Sequence, residues 1–210
     1  MPLGGLNDAL ETKANLANPA RAAFFADCDA FAAVVAEAYF ELCVAAIKAV
    51  DPNHLVIGSR FGYQPHPNVI AAAGRYLDVI SFNHYDFDPG AVIDAYSAGG
   101  KPCLISEFSF RGDDAGLPNS HGAGPRVANQ TERAQCFERY VTEALRNPAV
   151  VGYHWFEHAD QPAEGRFDGE NSNFGTVTIE DRVYDELTGI MTAINAEAES
   201  IHIRSEEGAA

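Results

Sequence analysis

Glu107 follows directly on a short apolar run, Cys103-Leu104-Ile105-Ser106. A carboxylate at the exit of a buried strand is partly desolvated and held by the backbone, which suits it to nucleophilic or acid–base work. Three other apolar runs also end in groups with chemistry. Leu55-Val56-Ile57-Gly58 leads into Ser59-Arg60. Leu77-Asp78-Val79-Ile80-Ser81-Phe82 leads into Asn83-His84-Tyr85, and Val150-Val151-Gly152-Tyr153 into His154-Trp155-Phe156-Glu157-His158. In a parallel barrel all strand C-termini open on one face, and that face holds the active site. Cleaving a glycosidic bond with retention needs one ionised carboxylate under the anomeric carbon and a second, protonated one beside the leaving oxygen. Glu107 is the candidate for the first. Arg60 and Tyr85 are candidate donors to keep it charged. Trp155, the only tryptophan, offers a flat platform for the apolar face of a sugar ring, or else an aromatic of the core.

The elements that must position these groups alternate. Residues 27–50 carry apolar residues at helical spacing, with Asp27 or Asp29 as N-cap and Asp51-Pro52-Asn53 as the stop. Short helices are expected at 66–74 and 89–98. A Gly/Pro/Asn-rich loop occupies 111–128. Asn129, with Glu132 three residues on, marks a capping box, and Phe137, Val141 and Leu145 form the stripe of the helix it opens. A last helix is expected at 180–198. The strands are continuous apolar runs, the mark of a parallel sheet buried on both faces. The expected class is therefore α/β, as an open doubly wound sheet or part of a barrel. Gly58-Ser59-Arg60-Phe61-Gly62 is not a dinucleotide-binding GxGxxG, which weakens the nucleotide-binding version. The organisation expected is an N-terminal segment 1–26, one domain 27–198 and a loose polar tail 199–210.

The 210 residues are 47% hydrophobic and carry a net charge of -16. That charge excludes nucleic acid as a partner and disfavours an anionic membrane, and it suits a neutral substrate such as a sugar. No stretch reads as apolar enough to span a bilayer. The sequence MPLGGLNDALETK lacks the basic and apolar regions of a signal peptide, and no compartment is assigned. Four dispersed cysteines show no CxxC spacing and read as free thiols.

Two metal patterns compete. His154, Glu157 and His158 spell HxxEH, a zinc-hydrolase pattern that requires a helix, and His84, Asp86 and Asp88 could add ligands. Asp168 to Asn173 is oxygen-rich but lacks the calcium-loop spacing, so a solvated turn is expected. No metal or cofactor is assigned.

The stretches DPNHLVIGSRF (51–61), DVISFNHYDFDP (78–89), GKPCLISEFSF (100–110), RYVTEALRNPAVVGYHWFEHADQPAEGRFDGENSNFGTV (139–177) and DRVYDEL (181–187) resemble the second half of clan A glycoside hydrolases, most closely the β-agarase type. The resemblance implies half of a (β/α)8 TIM barrel, four parallel strands (five to eight) with flanking helices, and retaining hydrolysis of a β-linked galactan. It implies Glu107 as the strand-seven nucleophile, Asn83 and Tyr85 on strand six, and Trp155 in the sugar-binding floor. Asp160, Gln161, Glu170 and Asn171 would contact substrate hydroxyls. The Asn-Glu pair that carries the clan's acid/base on strand four has no counterpart upstream of the first strand. Glu157, Glu164 and Glu170 are the conceivable substitutes. A half barrel leaves strand edges open, so homo-oligomerisation is expected. The alternative is a non-catalytic scaffold or saccharide-binding module.

Overall fold

A computed structural model describes residues 19–207. After a short 3-10 turn, helix α1 spans Ala22–Val50. It begins earlier than expected because nothing from Ala22 onward breaks a helix. Asp27 and Asp29 therefore lie inside it, and Arg21, at the N-cap position, makes no side-chain capping bond. The stop is as expected: the Asp51 carboxylate accepts the N–H groups of Asn53 (3.1 Å) and His54 (3.2 Å), an Asx turn that continues away from the helix. By length and composition alone α1 is apolar enough to cross a bilayer, which corrects the sequence expectation. Its charges sit singly among long apolar stretches, so reading the pattern one face at a time hid its overall apolarity.

Helix α2 (Pro67–Tyr76) starts on a proline pre-set for the first turn, and its N-cap His66 accepts the Asn68 N–H. Strand β1 (Ile80–Asn83), helix α3 (Gly90–Ser97) and strand β2 (Cys103–Phe108) follow. The stretch read as one long loop contains the two-residue strands β3 (Arg111–Gly112) and β4 (Arg126–Val127), which pair in parallel. Helix α4 (Gln130–Arg146) is capped as expected: Asn129 accepts the Glu132 N–H at 2.9 Å, and Glu132 reaches back to the Ala128 N–H at 2.8 Å. Strand β5 (Val150–Trp155) and helix α5 (Asp185–Glu207) complete the chain. Helix α5 runs beyond the expected residue 198, so the residues read as a loose tail are largely helical. Of the expected segment 1–26, residues 1–18 lie outside the described residues.

The main sheet is parallel, in the order β1-β2-β5. Ile80 pairs with Cys103 and Cys103 with Val150, so the three strands start level. The fourth expected strand, from Leu55, is corrected. Gly58 takes a left-handed backbone (φ 79°), which breaks the extended run. The segment still lies beside β1 through a single parallel bridge, Phe61 to Phe82. Asp78 ties its start: the carboxylate accepts the Val56 N–H at 2.8 Å.

The core joins Ile80, Phe82, Cys103 and Ile105 of the sheet to Phe137, Tyr140 and Val141 of α4. Phe108 stacks on Tyr140 with centroids 4.3 Å apart. A smaller cluster, with Phe40, Ala72, Ala73 and Leu77, seats α1 on α2. All four cysteines are free thiols. Arg133 is fully buried, its guanidinium over the faces of Trp155 and Tyr184. Burial pulls its pKa down to about 10.

Candidate active site

Parallel strands in register deliver their C-terminal residues to one side, so the groups at the strand ends meet. Asn83 pairs with Glu107 across β1 and β2. Its side-chain N–H donates to Glu107 Oε2 at 2.6 Å, and the Tyr85 hydroxyl donates to the same oxygen at 2.9 Å. Arg60 forms an ion pair with Oε1. The Ser106 hydroxyl donates to Asn83 Oδ1 at 3.0 Å, which fixes the amide orientation that serves Glu107. Both carboxylate oxygens thus face donors or positive charge. Burial pushes the Tyr85 phenol well above its ordinary value, with the Glu170 charge the next cause, so Tyr85 stays a donor at any working pH.

Glu107 and its three partners line an open cleft of about 700 Å³. Phe156, Arg166 and Glu170, from the segment after β5, line the same cleft. Arg166 lies 5.7 Å from the centroid of Phe156 and pairs with Glu170 at 2.8 Å. Gln161 is buried behind Glu170, and its amide donates to Glu170 at 2.8 Å and to Glu157 at 3.1 Å. Burial raises the Glu157 carboxyl above its usual range, and the bond from Gln161 opposes that shift. His84 also lines the cleft, and burial lowers its pKa.

Among the residues expected here, Glu107, Arg60, Asn83, Tyr85 and Glu170 come together in the cleft, with Gln161 behind them. Three do not reach it. Trp155 packs edge-on to Phe108 (5.4 Å) and Phe137 (5.8 Å), and its indole N–H donates to the Phe174 carbonyl at 2.8 Å. Asp160 is buried and accepts from Asn173 (2.8 Å), the Gly175 N–H (2.8 Å) and the Tyr184 hydroxyl (2.5 Å). Asn171 bridges two loops, its side-chain oxygen Oδ1 accepting the N–H groups of Ser120 (3.1 Å) and His121 (3.0 Å). The cleft aromatic that sequence reading missed is Phe156. Neighbouring residues at a strand end point opposite ways, so Trp155 and Phe156 could not both face the cleft, but periodicity does not say which does.

The rim is cross-tied. Arg111 donates to the carbonyls of Gly124 (2.7 Å) and Asn119 (3.3 Å) and to Ser172 Oγ (3.1 Å). The Asn173 side-chain oxygen Oδ1 accepts the Gly112 N–H at 3.0 Å.

The HxxEH stretch runs from β5 into a bend, with His154 and His158 exposed. The two histidines do not share a helical face. Among the described residues no group of three or more His, Cys, Asp or Glu side chains is placed to hold a metal. Asp168, in the oxygen-rich turn, pairs with Arg166 at 2.8 Å.

No family model matches the chain. It is 39% identical over 153 residues, 71% of its length, to Beta-agarase B of Vibrio sp. (strain JT0107). It is 35% identical over 167 residues, 75% of its length, to Beta-agarase A of the same organism. The chain spans only 16% of either relative. Among solved structures, an exo-β-agarase superposes with a TM-score of 0.79 at 33% identity, covering 86% of this chain and 24% of that one. The agarase AgWH50C gives 0.75 at 34% identity, over 81% and 24%. A GH2 β-galacturonidase (TM-score 0.55, 16% identity, over 76% of this chain and 30% of that one) shares the fold alone. The chain is thus homologous to one stretch of longer β-agarases.

Proposed function

We propose that the chain is the part of a retaining glycoside hydrolase, acting on an agarose-like β-galactan, that carries the nucleophile Glu107. The observation that carries this is the convergence of Asn83, Tyr85 and Arg60 on the two oxygens of Glu107 at the floor of the cleft. Homology to β-agarases supports the substrate class. Three strands that run parallel and discharge on one side, with the segment after Leu55 beside β1 through the single Phe61–Phe82 bridge, support the finer architecture, the second half of a (β/α)8 barrel in which the first of the four strands is reduced to that bridge.

In this mechanism a Glu107 oxygen attacks the anomeric carbon, and the glycosidic carbon–oxygen bond breaks as a covalent glycosyl ester forms. Asn83 and Tyr85 hold the attacking carboxylate in one orientation. Arg166 and Glu170, which line the same cleft, read hydroxyls of the bound sugar. Water then releases the sugar with net retention. The acid/base role is assigned to none of the 210 residues: Glu170 is engaged by Arg166 and Gln161, and Glu157 faces Gln161. Without a general acid, hydrolysis of an unactivated glycoside falls by roughly 100- to 10,000-fold. Self-association belongs to the same proposal.

An activated aryl β-galactoside needs little help from an acid, so it tests the nucleophile alone. Slow release of the aryl alcohol, lost in Glu107→Gln with folding intact, is the expected result. Release no faster than background from a folded protein would instead favour a saccharide-binding or scaffold role, and agaro-oligosaccharide titration would separate those two.

A further inference from the structure

The Tyr85 hydroxyl can serve Glu107 only if its ring is held, because a phenol swings on two side-chain torsions. Strand β1 ends two residues earlier, at Asn83. Phe156 meets the ring edge-on, with centroids 6.4 Å apart. Backbone also packs on it, at Gly124 of the segment 111–128. A Cβ built on Gly124 would lie 3.1 Å from Tyr85 Cδ1 and 2.7 Å from the Ser109 carbonyl oxygen. A larger residue could not let the chain approach the ring this closely. The φ of Gly124, 85°, is also a left-handed conformation that suits glycine. Ala123, beside it, lines the same cleft as Tyr85 and Glu107. Arg111 pins this stretch. It is buried, and its Nε and Nη2 both donate to the Gly124 carbonyl, at 3.2 and 2.7 Å. Its Nη1 donates to the Asn119 carbonyl at 3.3 Å and to Ser172 Oγ at 3.1 Å, and Ser172 Oγ donates to the His121 carbonyl at 2.6 Å. A planar fork of donors can hold Asn119 and Gly124 at once, which a point charge such as an ammonium cannot. Arg111 itself does not line the cleft.

We propose that Arg111 and Gly124 are positioning residues for the nucleophile: the guanidinium holds the Gly124 backbone against the Tyr85 ring, and that contact keeps the hydroxyl on Glu107 Oε2. This rests on the hydrolase reading of Glu107 and extends it, from the groups that touch the carboxylate to the segment that aims one of them. The Tyr85–Glu107 bond is 2.9 Å long, and such bonds weaken beyond about 3.2 Å, so a hydroxyl displaced by about 0.3 Å or more serves the carboxylate poorly. Neither Arg111 nor Gly124 reaches the sugar, so loosening the strap falls on kcat and spares KM.

Gly124→Ala in the full chain tests this, with Gly116→Ala as its control. Gly116 lies in the same segment with φ 79° and nothing within 4 Å of an added Cβ, so it carries the backbone strain without the contact. Steady-state release from an aryl β-galactoside is expected to show kcat about tenfold lower in Gly124→Ala with KM unchanged, and Gly116→Ala at the parent rate. In a Tyr85→Phe background Gly124→Ala should slow release no further. A second readout needs no activity. With 3-fluorotyrosine at the eight tyrosines, the fluorine resonance that Tyr85→Phe removes belongs to Tyr85. Gly124→Ala should move it, and so should Arg111→Lys, which adds no atom at the ring and loses the fork. Gly116→Ala should leave it in place. If Gly124→Ala does not fold, Arg111→Lys carries the kinetic comparison. Equal slowing by Gly116→Ala, slowing that persists in Tyr85→Phe, or a Tyr85 resonance unmoved in Arg111→Lys overturns the proposal. A folded parent that releases no aryl alcohol sinks the hydrolase reading instead, and the fluorine resonance still decides whether the strap holds Tyr85.

Discussion

Asp160 separates two accounts of the segment after β5. Family resemblance makes it a substrate contact, whereas the structure makes it an anchor. Its carboxylate accepts three hydrogen bonds, from Asn173 Nδ2, the Gly175 N–H and the Tyr184 hydroxyl, and the residue is only 7% exposed. Asp160→Ala orphans all three donors. Each buried unsatisfied donor costs about 1–3 kcal/mol. The Tyr184 hydroxyl is part-buried and can turn to water, so the loss is about 3–5 kcal/mol rather than the full sum. For a domain of this size about 2–4 °C of Tm is lost per kcal/mol, which puts the drop at about 6–20 °C. Asp160→Asn keeps one oxygen for Asn173 and Gly175, and its amide can donate to the Tyr184 hydroxyl, so about 1 kcal/mol is expected. Urea and thermal unfolding by circular dichroism measure both. If Asp160→Ala melts within about 2 °C of the parent while affinity for an agaro-oligosaccharide collapses, the anchor account is wrong.

Tyr85→Phe removes one donor to the proposed nucleophile and should slow aryl galactoside release about 10- to 100-fold with Tm nearly unchanged, read by steady-state kinetics and melting. Gly175→Ala places a Cβ 2.1 Å from the Val177 carbonyl oxygen and 2.3 Å from the Asp160 N–H nitrogen, both backbone, so a loss of about 2–3 kcal/mol is expected in urea unfolding. Glu157 has a folded-state pKa raised above 4.5 by burial, so the folded state holds its proton more tightly than the unfolded one. That stability is present below pH 4.5 and is lost as pH climbs through the raised value. Glu157→Gln should therefore gain stability relative to the parent between mildly acidic and neutral pH, and a pH series of unfolding curves that stay parallel would count against it.

Local pattern made much of this legible. Apolar runs marked three of the sheet's strands, and Asn129 with Glu132 marked the start of α4, because caps and buried strands are written in neighbouring residues. Glu107, Arg60, Asn83 and Tyr85 were findable because each sits at the end of such a run, and parallel strands bring their ends together. What stayed hidden depends on distant partners. Nothing near Asp160 in sequence tells that Asn173, Gly175 and Tyr184 will all point at it. Which of Trp155 and Phe156 faces the cleft depends on the pleat of β5. Gly58 reads as part of a strand until its left-handed backbone is seen.

The cross-ties from Arg111, Asn119, Asn171 and Asn173 have a consequence for how such a cleft can change. The segments at 111–128 and 160–175 do not meet as two independent loops; each supplies the partners the other's backbone needs. A loop transplanted alone from a relative with different sugar preference would arrive with its acceptors unmatched. On the proposed hydrolase reading, new specificity at this rim is reached by exchanging both segments together, or by substituting cleft-lining side chains such as Phe156 and Arg166 on a frame left intact.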